Sequence, residues 1–157
     1  MKRLLVLFIV LAVLVCSSSA WAVASTMTFT KVEAYTPTGK WIKITAVCTA
    51  DSLAATWTDV VIPYDITGRY LYSVSTYFGG VAPTADTDLT LTAGSATGED
   101  ILHGAGVDRI DAVTNNSFKP YIDAAASPMP IYENLYINID NNAVNSAVVT
   151  IVFRFTQ

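Results

Sequence analysis

Side chains that can act as acid–base catalysts or zinc ligands are sparse in this sequence. His103 is the only histidine among 157 residues, which excludes the ordinary zinc sites built from several histidines and cysteines and argues against a serine or cysteine triad. His103 lies in the glycine-containing stretch 98–106, where we expect a polar residue beside a turn rather than a catalytic base. No nucleophile elbow, phosphate-binding loop or dinucleotide fingerprint is present. We therefore predict a protein that is not an enzyme, with no catalytic residues and no cofactor.

Carboxylates offer a second kind of chemistry. A pair of acids about 5 to 10 Å apart across a cleft can hydrolyse glycosides, but an acidic β domain places some pair at that distance by chance. Acids that cluster near turns can also supply oxygen ligands to calcium, and their spacing here matches no defined calcium loop. We expect solvated loop charges, with calcium as the weaker alternative and no other metal. The calcium candidates are Asp86, Asp88, Glu99, Asp100 and Asp108.

Aromatic residues provide the third candidate chemistry, because sugars stack on exposed aromatic rings and such rings are enriched at protein interfaces. Tyr132 and Tyr136 share the polar face of one predicted strand, which favours a binding or subunit-interface role. Trp41 and Trp57 lie in other predicted strands, where burial in the core is the stronger expectation. These four residues are the predicted binding residues, for a protein interface or a glycan.

The N-terminal segment has the three parts of a secretory signal peptide. Lys2 and Arg3 precede an apolar run over 4–15, and small residues follow up to Ala22. Because a bilayer-spanning helix needs about 20 apolar residues, we expect cleavage after Ala22 rather than an uncleaved anchor. Cys16 would suit a lipoprotein, but Val15 precedes it where a small residue is needed. The sequence thus predicts residues 1–22 as the signal, residues 23–157 as one domain, and export to the cell surface, periplasm or exterior.

The net charge of the exported domain bears on its partners, and its cysteine content bears on its disulfides. Without Lys2 and Arg3, seven basic residues stand against thirteen acidic ones, a net charge of −6. Nucleic-acid binding needs clustered lysines and arginines, and the sequence shows no such cluster. Cys48 is the one cysteine after residue 22, so no internal disulfide can form, and its place in an alternating stretch indicates a buried small hydrophobe.

Alternation of apolar and polar residues recurs along the chain and predicts an all-β fold, an antiparallel β-sandwich or jelly roll. The first strand changes phase between Phe29 and Val32, which suggests a bulge. Asp140 to Asn142 predict a turn that joins the last two strands as a hairpin. The final strand is apolar on both faces, which predicts a place in the middle of a sheet. A short helix over 121–126 is the weaker expectation. The predicted strands are 26–35, 40–49, 56–62, 69–77, 87–92, 131–139 and 144–156.

The stretch from Gly68 to Phe155 contains a series of turn glycines and strand motifs. The motifs are Gly68-Arg69-Tyr70-Leu71, Pro83-Thr84, Asp88-Leu89-Thr90-Leu91, Gly98-Glu99-Asp100-Ile101-Leu102, Gly104-Ala105-Gly106, Asp108-Arg109, Pro130 and Leu135-Tyr136-Ile137-Asn138-Ile139. In these features the chain resembles small β-sandwich structural proteins encoded among the virion genes of tailed bacteriophages and prophages. The resemblance implies a virion-surface or tail-associated role with no catalytic residues. The signal peptide departs from it, because tailed-phage virions assemble in the cytoplasm.

Two functions from different classes follow. The first is a structural or interaction protein that associates with itself or with other subunits through sheet edges and loops, in a virion-like particle or on a cell surface. The alternative is an exported carbohydrate-binding or adhesin module, which the tryptophans and the tyrosine-bearing face suggest. No stable membrane span is expected in the mature chain.

Overall fold

The computed structural model of the protein describes residues 23–37, 39–122 and 125–157, and the predicted signal peptide lies outside them. Within these ranges the chain forms eleven strands and no helix. Accordingly, no helix in this part of the chain is long and apolar enough to cross a bilayer. The strands are β1 (Thr26–Thr36), β2 (Gly39–Thr49), β3 (Val60–Val61), β4 (Tyr70–Phe78), β5 (Asp88–Ala93), β6 (Asn116–Phe118), β7 (Tyr121–Ile122), β8 (Ala125–Ala126), β9 (Met129–Pro130), β10 (Leu135–Asp140) and β11 (Val148–Thr156).

Nine of the eleven strands form two antiparallel sheets that enclose one core, and β7 and β8 form a separate pair, so the predicted all-β sandwich is confirmed. The larger sheet has the order β1-β2-β11-β4-β6, with β9 also pairing with β4, and the smaller sheet has the order β3-β10-β5. The pairings are nested, because β2 pairs with β11 while β3 pairs with β10. This winding, in which the chain alternates between the sheets and returns beside its own start, is that of a jelly roll.

Period-two patterning explains the faces of the central strands. On β2, Ile42, Ile44, Ala46 and Cys48 are buried, as their alternation predicts. The prediction for β11 is also confirmed, since this strand lies between β2 and β4. Phe153 and its alternating neighbours face the core, as the shared hydrophobic cluster of the two sheets shows.

The predicted C-terminal hairpin is wrong, because its two strands belong to different sheets. β10 pairs with β3 and β5, whereas β11 pairs with β2 and β4. The connection crosses between the layers and is held by Asn142, whose side-chain NH₂ donates to the carbonyls of Ala55 (2.6 Å) and Val144 (2.8 Å). Residues 140–142, which favour a turn, thus connect the two sheets. Each of the two strands can then bury one of its faces in the core.

The predicted bulge in the first strand is also wrong. β1 pairs with β2 through eleven consecutive residue pairs without a register shift. Met27, Phe29, Lys31 and Glu33 lie on the same, inward-facing side of β1, and the change of phase arises because the last two of them are charged. Lys31 and Glu33 bind each other (2.7 Å) instead of entering the core.

Two predicted strands need correction, and the weaker expectation of a helix over 121–126 is not met. Residues 121–122 and 125–126 form the short antiparallel pair β7–β8 rather than part of a helix. Of the predicted strand 56–62, two residues pair, at Val60–Val61. The strand predicted to begin at Ile131 begins at Leu135.

Burial of Cys48 gives a first testable result. The side chain is fully buried, as predicted, and burial raises the pKa of its thiol to about 12. We expect the native protein to protect one thiol from an aromatic disulfide reagent at pH 8, and denaturant to release it, because the thiolate is the reacting species. Because the folded-state pKa is raised, this group's contribution to stability is complete below pH 9 and is lost as the pH rises towards 12. Counting the thiols that react with and without denaturant tests the protection of Cys48. In the C48A variant, denaturant must not release this thiol.

Candidate functional site

The residues with catalytic potential do not form a connected site. His103 is exposed in a turn with a positive φ of 50°. It borders a groove of about 450 Å³ together with Glu99, Glu133 and Tyr132. In the described ranges, no hydrogen bond or ion pair joins the His103 ring to either carboxylate, so no oriented acid–base pair is formed there.

The calcium candidates are used in turns instead of converging on a cation. Both carboxylate oxygens of Asp100 accept backbone N–H groups, from Leu102 (2.9 Å) and Gly104 (2.8 Å). Asp88 accepts from the backbone of Asp108 (2.8 Å) and from the side chain of Asn141. No group of three or more histidines, cysteines or acids in the described residues is arranged to hold a metal ion. Asp88 and Asp100 thus bind loop groups in the structure, and the calcium alternative stays a prediction.

The four predicted binding residues lie in four different environments. Trp57 is buried in the core with 7% of its surface exposed, which removes its ring from any binding surface. Tyr132 is 76% exposed just before β10, whereas Tyr136 is half-buried between Val61 and Thr92 in the smaller sheet. Tyr132 therefore precedes the strand that was expected to carry both tyrosines.

Trp41 is the exception, because it lies on a surface that the sequence did not reveal. This surface is the outward face of the larger sheet, which we call the outer face. Its residues are Thr26, Thr28, Thr30, Val32 and Ala34 on β1; Trp41, Lys43, Thr45, Val47 and Thr49 on β2; Val148, Thr150, Val152, Arg154 and Thr156 on β11; and Tyr70, Tyr72, Ser73, Ser75 and Tyr77 on β4. None of these residues is acidic, although the whole chain has thirteen acids.

Positive charge and aromatic rings gather at one end of the outer face. Lys43 lies opposite Arg154 in the pairing of β2 with β11. Lys119, just after β6, places its ammonium nitrogen 4.6 Å from the ring centre of Tyr72, and the Trp41 ring meets Tyr72 edge-on at 5.2 Å. These contacts join residues from β2, β4 and β11, whose proximity depends on strand order.

A groove runs beside these residues, and we call it the serine groove. It has a volume of about 490 Å³. Arg154 donates from Nη1 to the hydroxyl oxygen of Ser75 (2.8 Å), and the Ser75 hydroxyl donates to that of Ser117 (3.1 Å). The pairing of β11 with β4 shifts register by one residue at Tyr72, and such a bulge re-aims side chains. The lining residues are Tyr72, Ser73, Ser75, Tyr77, Ser117, Phe118, Lys119 and Arg154.

The second unusual surface is the open edge of β1. Its eleven residues have β2 as their one strand neighbour in the described part of the chain, and they contain neither proline nor bulge. In an antiparallel ladder alternate residues turn their N–H and C=O groups away from the neighbour. The Phe29 carbonyl accepts a hydrogen bond from the Tyr64 hydroxyl (3.3 Å). This contact indicates that the backbone N–H and C=O groups of the odd-numbered residues point to the free edge.

Charges on β1 are confined to one short stretch. Glu33 binds Lys31 at 2.7 Å and Lys40 at 2.6 Å. Hydrogen bonds from these two ammonium groups lower the pKa of Glu33 to about 2, so the carboxylate is ionised at any ordinary pH. Val32 and Tyr35 beside it are 53% and 79% exposed.

Comparison with known proteins adds no relative. No protein-family model matches the chain, and no match is found among curated proteins or among solved structures.

Proposed function

We propose that the protein is an exported, non-catalytic structural subunit that assembles with copies of itself through the open edge of β1. The observation that carries this proposal is the edge itself: eleven residues that pair with β2 without a register shift, contain no proline and, within the described ranges, have no strand on their other side, where the Tyr64 hydroxyl binds the Phe29 carbonyl. Soluble proteins usually shorten, bulge or cover such an edge, because it is a template for another chain. Pairing two edges satisfies their outward backbone groups and extends the sheet from one copy to the next.

The sequence of β1 favours one register for this pairing. If two copies pair antiparallel about Val32, Lys31 of each lies opposite Glu33 of the other, and Phe29 lies opposite Tyr35. All four are odd-numbered residues, whose backbone groups face the edge. Shifting the centre to Lys31 or to Glu33 would place like charges opposite each other, which is destabilising. The register centred on Val32 therefore gives a two-fold contact with alternating charges.

The fold and the phage-like motifs support the same proposal. Jelly rolls occur in viral capsid subunits and in lectins, and the chain's resemblance to virion-encoded β-sandwich proteins points to the first of these. Because one fold serves many functions, the open edge supports assembly more strongly than the jelly-roll winding does. We place the assembly in a virion-like particle or on a cell surface.

The oligomeric state tests this function directly. Sedimentation equilibrium of the purified protein over a hundredfold range of concentration should show a mass that rises from one copy to two or more. Stable contacts of this kind bury about 1,200 to 2,000 Å² in total. A single-copy mass at every concentration would remove the proposal.

A second candidate function is glycan binding by an exported carbohydrate-binding or adhesin module. The specific observation in its favour is the partly exposed Trp41 on the outer face, next to the hydroxyl-rich serine groove. The two functions do not compete for residues, because the serine groove is lined by β4, β6, β11 and Lys119, whereas the edge belongs to β1.

A further inference from the structure

We propose that the serine groove binds an acidic polysaccharide, one whose sugar rings carry carboxylate groups. This inference rests on the glycan-binding candidate and names its ligand class. It follows from three features of the groove: its charge, its hydroxyl groups and the state of its aromatic rings.

Charge is segregated towards this groove. The ion pairs in the described ranges both belong to Glu33, with Lys31 and Lys40. Within the same ranges Lys43, Lys119 and Arg154 have no carboxylate partner, and all three lie at the same end of a face without acids. On a chain with a formal net charge of −4, such a patch attracts anions while the remaining surface repels them.

Hydroxyl groups outnumber charges in the lining. Five of the eight lining residues carry a hydroxyl, of which Ser73 and Ser75 are buried at the base of the groove, two are cationic and none is acidic. Arg154 is already held by the Ser75 hydroxyl at 2.8 Å, so its guanidinium is oriented before a ligand arrives, which lowers the entropy cost of binding. A ring with one carboxylate and several hydroxyls matches this mixture of donors, since charged hydrogen bonds anchor the anion and neutral ones read the hydroxyls.

The Tyr72 ring in the groove is already in contact with two side chains. Proteins that bind single-stranded nucleic acids stack bases on open aromatic faces. Lys119 covers the Tyr72 ring at 4.6 Å, and Trp41 stands against it at an angle of 82°. The ring face that Lys119 covers is therefore not free to stack a base or a sugar, and a ligand at this point of the groove binds through charge and hydrogen bonds. The groove of about 490 Å³ is open to solvent, so a polymer can lie along it with only a few of its rings bound.

Titration calorimetry with polygalacturonate provides the test. Its fully methyl-esterified form is the matched probe, because it has the same sugar ring without the charge, and a single-stranded oligothymidylate probes nucleic-acid binding. K119Q and R154Q each remove one groove cation, and R69Q removes a cation outside the groove. Circular dichroism of each variant establishes that it is folded.

We expect polygalacturonate to bind and the methyl ester to bind at least tenfold more weakly. K119Q and R154Q should each weaken binding by about tenfold, the usual effect of losing a charged hydrogen bond, while R69Q leaves it unchanged. Equal binding of the ester would overturn the anionic ligand and leave glycan binding standing. Binding of neither polymer would remove both. Tighter binding of the oligonucleotide, or wild-type affinity in both groove variants, would also overturn the inference.

Discussion

Replacing Lys31 with glutamate is expected to weaken self-association on the order of tenfold to a hundredfold. In the register centred on Val32, K31E places the new carboxylate of each copy opposite Glu33 of the other, so two attractive pairs become two repulsive ones. A cross-strand charge pair contributes about 0.2 to 1 kcal/mol, and every 1.4 kcal/mol is a factor of about ten. Sedimentation equilibrium at low salt measures the change, and added salt should reduce it.

Two further variants separate the register from general charge effects. R69E makes the same change in net charge away from β1 and should associate like the wild type. The triple variant K31E/E33K/K40E inverts all three charges, which preserves the ion pairs within each copy and restores the opposite signs between copies. Association should therefore recover in the triple variant. If the wild type and K31E associate equally, assembly uses another surface; if the wild type does not associate at all, the structural function itself fails.

Loss of the Phe153 side chain is expected to cost about 3 to 5 kcal/mol of unfolding free energy, the range for truncating a buried aromatic residue to alanine. Phe153 is fully buried on the central strand of the larger sheet, lies opposite Ile44 and Val74, and contacts Phe155 at a ring distance of 6.5 Å. Strands on both sides hold the backbone in place, so the F153A cavity cannot collapse fully. Urea denaturation of the monomer measures the loss.

Controls keep this prediction testable even if F153A does not fold, because the total stability of a domain is about 5 to 15 kcal/mol. F153L keeps most of the volume and should cost about 1.5 kcal/mol or less. L53A truncates a leucine that is 60% exposed and should change stability by less than about 0.5 kcal/mol. A loss in F153A no larger than that in L53A would contradict the assigned core.

Local patterns in the sequence determined the fold class and the central strands. Alternation of apolar residues identified β2 and the core face of β10, and the doubly apolar composition of β11 placed it inside a sheet. Cys48 was recognised as a core residue from the same alternation. These inferences succeeded because the period of side chains along a strand is a local property, set by the backbone and legible in one segment at a time.

Patterns failed where the answer depended on which face or which sheet received a strand. The apparent bulge in β1 was a pair of inward-facing charges, Lys31 and Glu33, which alternation alone treats as outward. Tyr132 was assigned to the polar face of a strand, yet it lies before that strand begins. The predicted hairpin failed because Asn141 and Asn142 suit a tight turn and an inter-sheet crossing equally well.

The sequence by itself therefore determined that the chain forms strands, which residues of β2 and β11 are buried, and that catalytic groups are scarce. Tertiary structure alone decided that β10 and β11 belong to different sheets, that β1 is left at an edge, and that Ser75, Ser117 and Arg154 meet in one groove. The physical reason is that burial of a strand face is encoded locally, whereas strand order arises from pairing between segments far apart in the chain. Both proposed surfaces, the β1 edge and the serine groove, are products of that order.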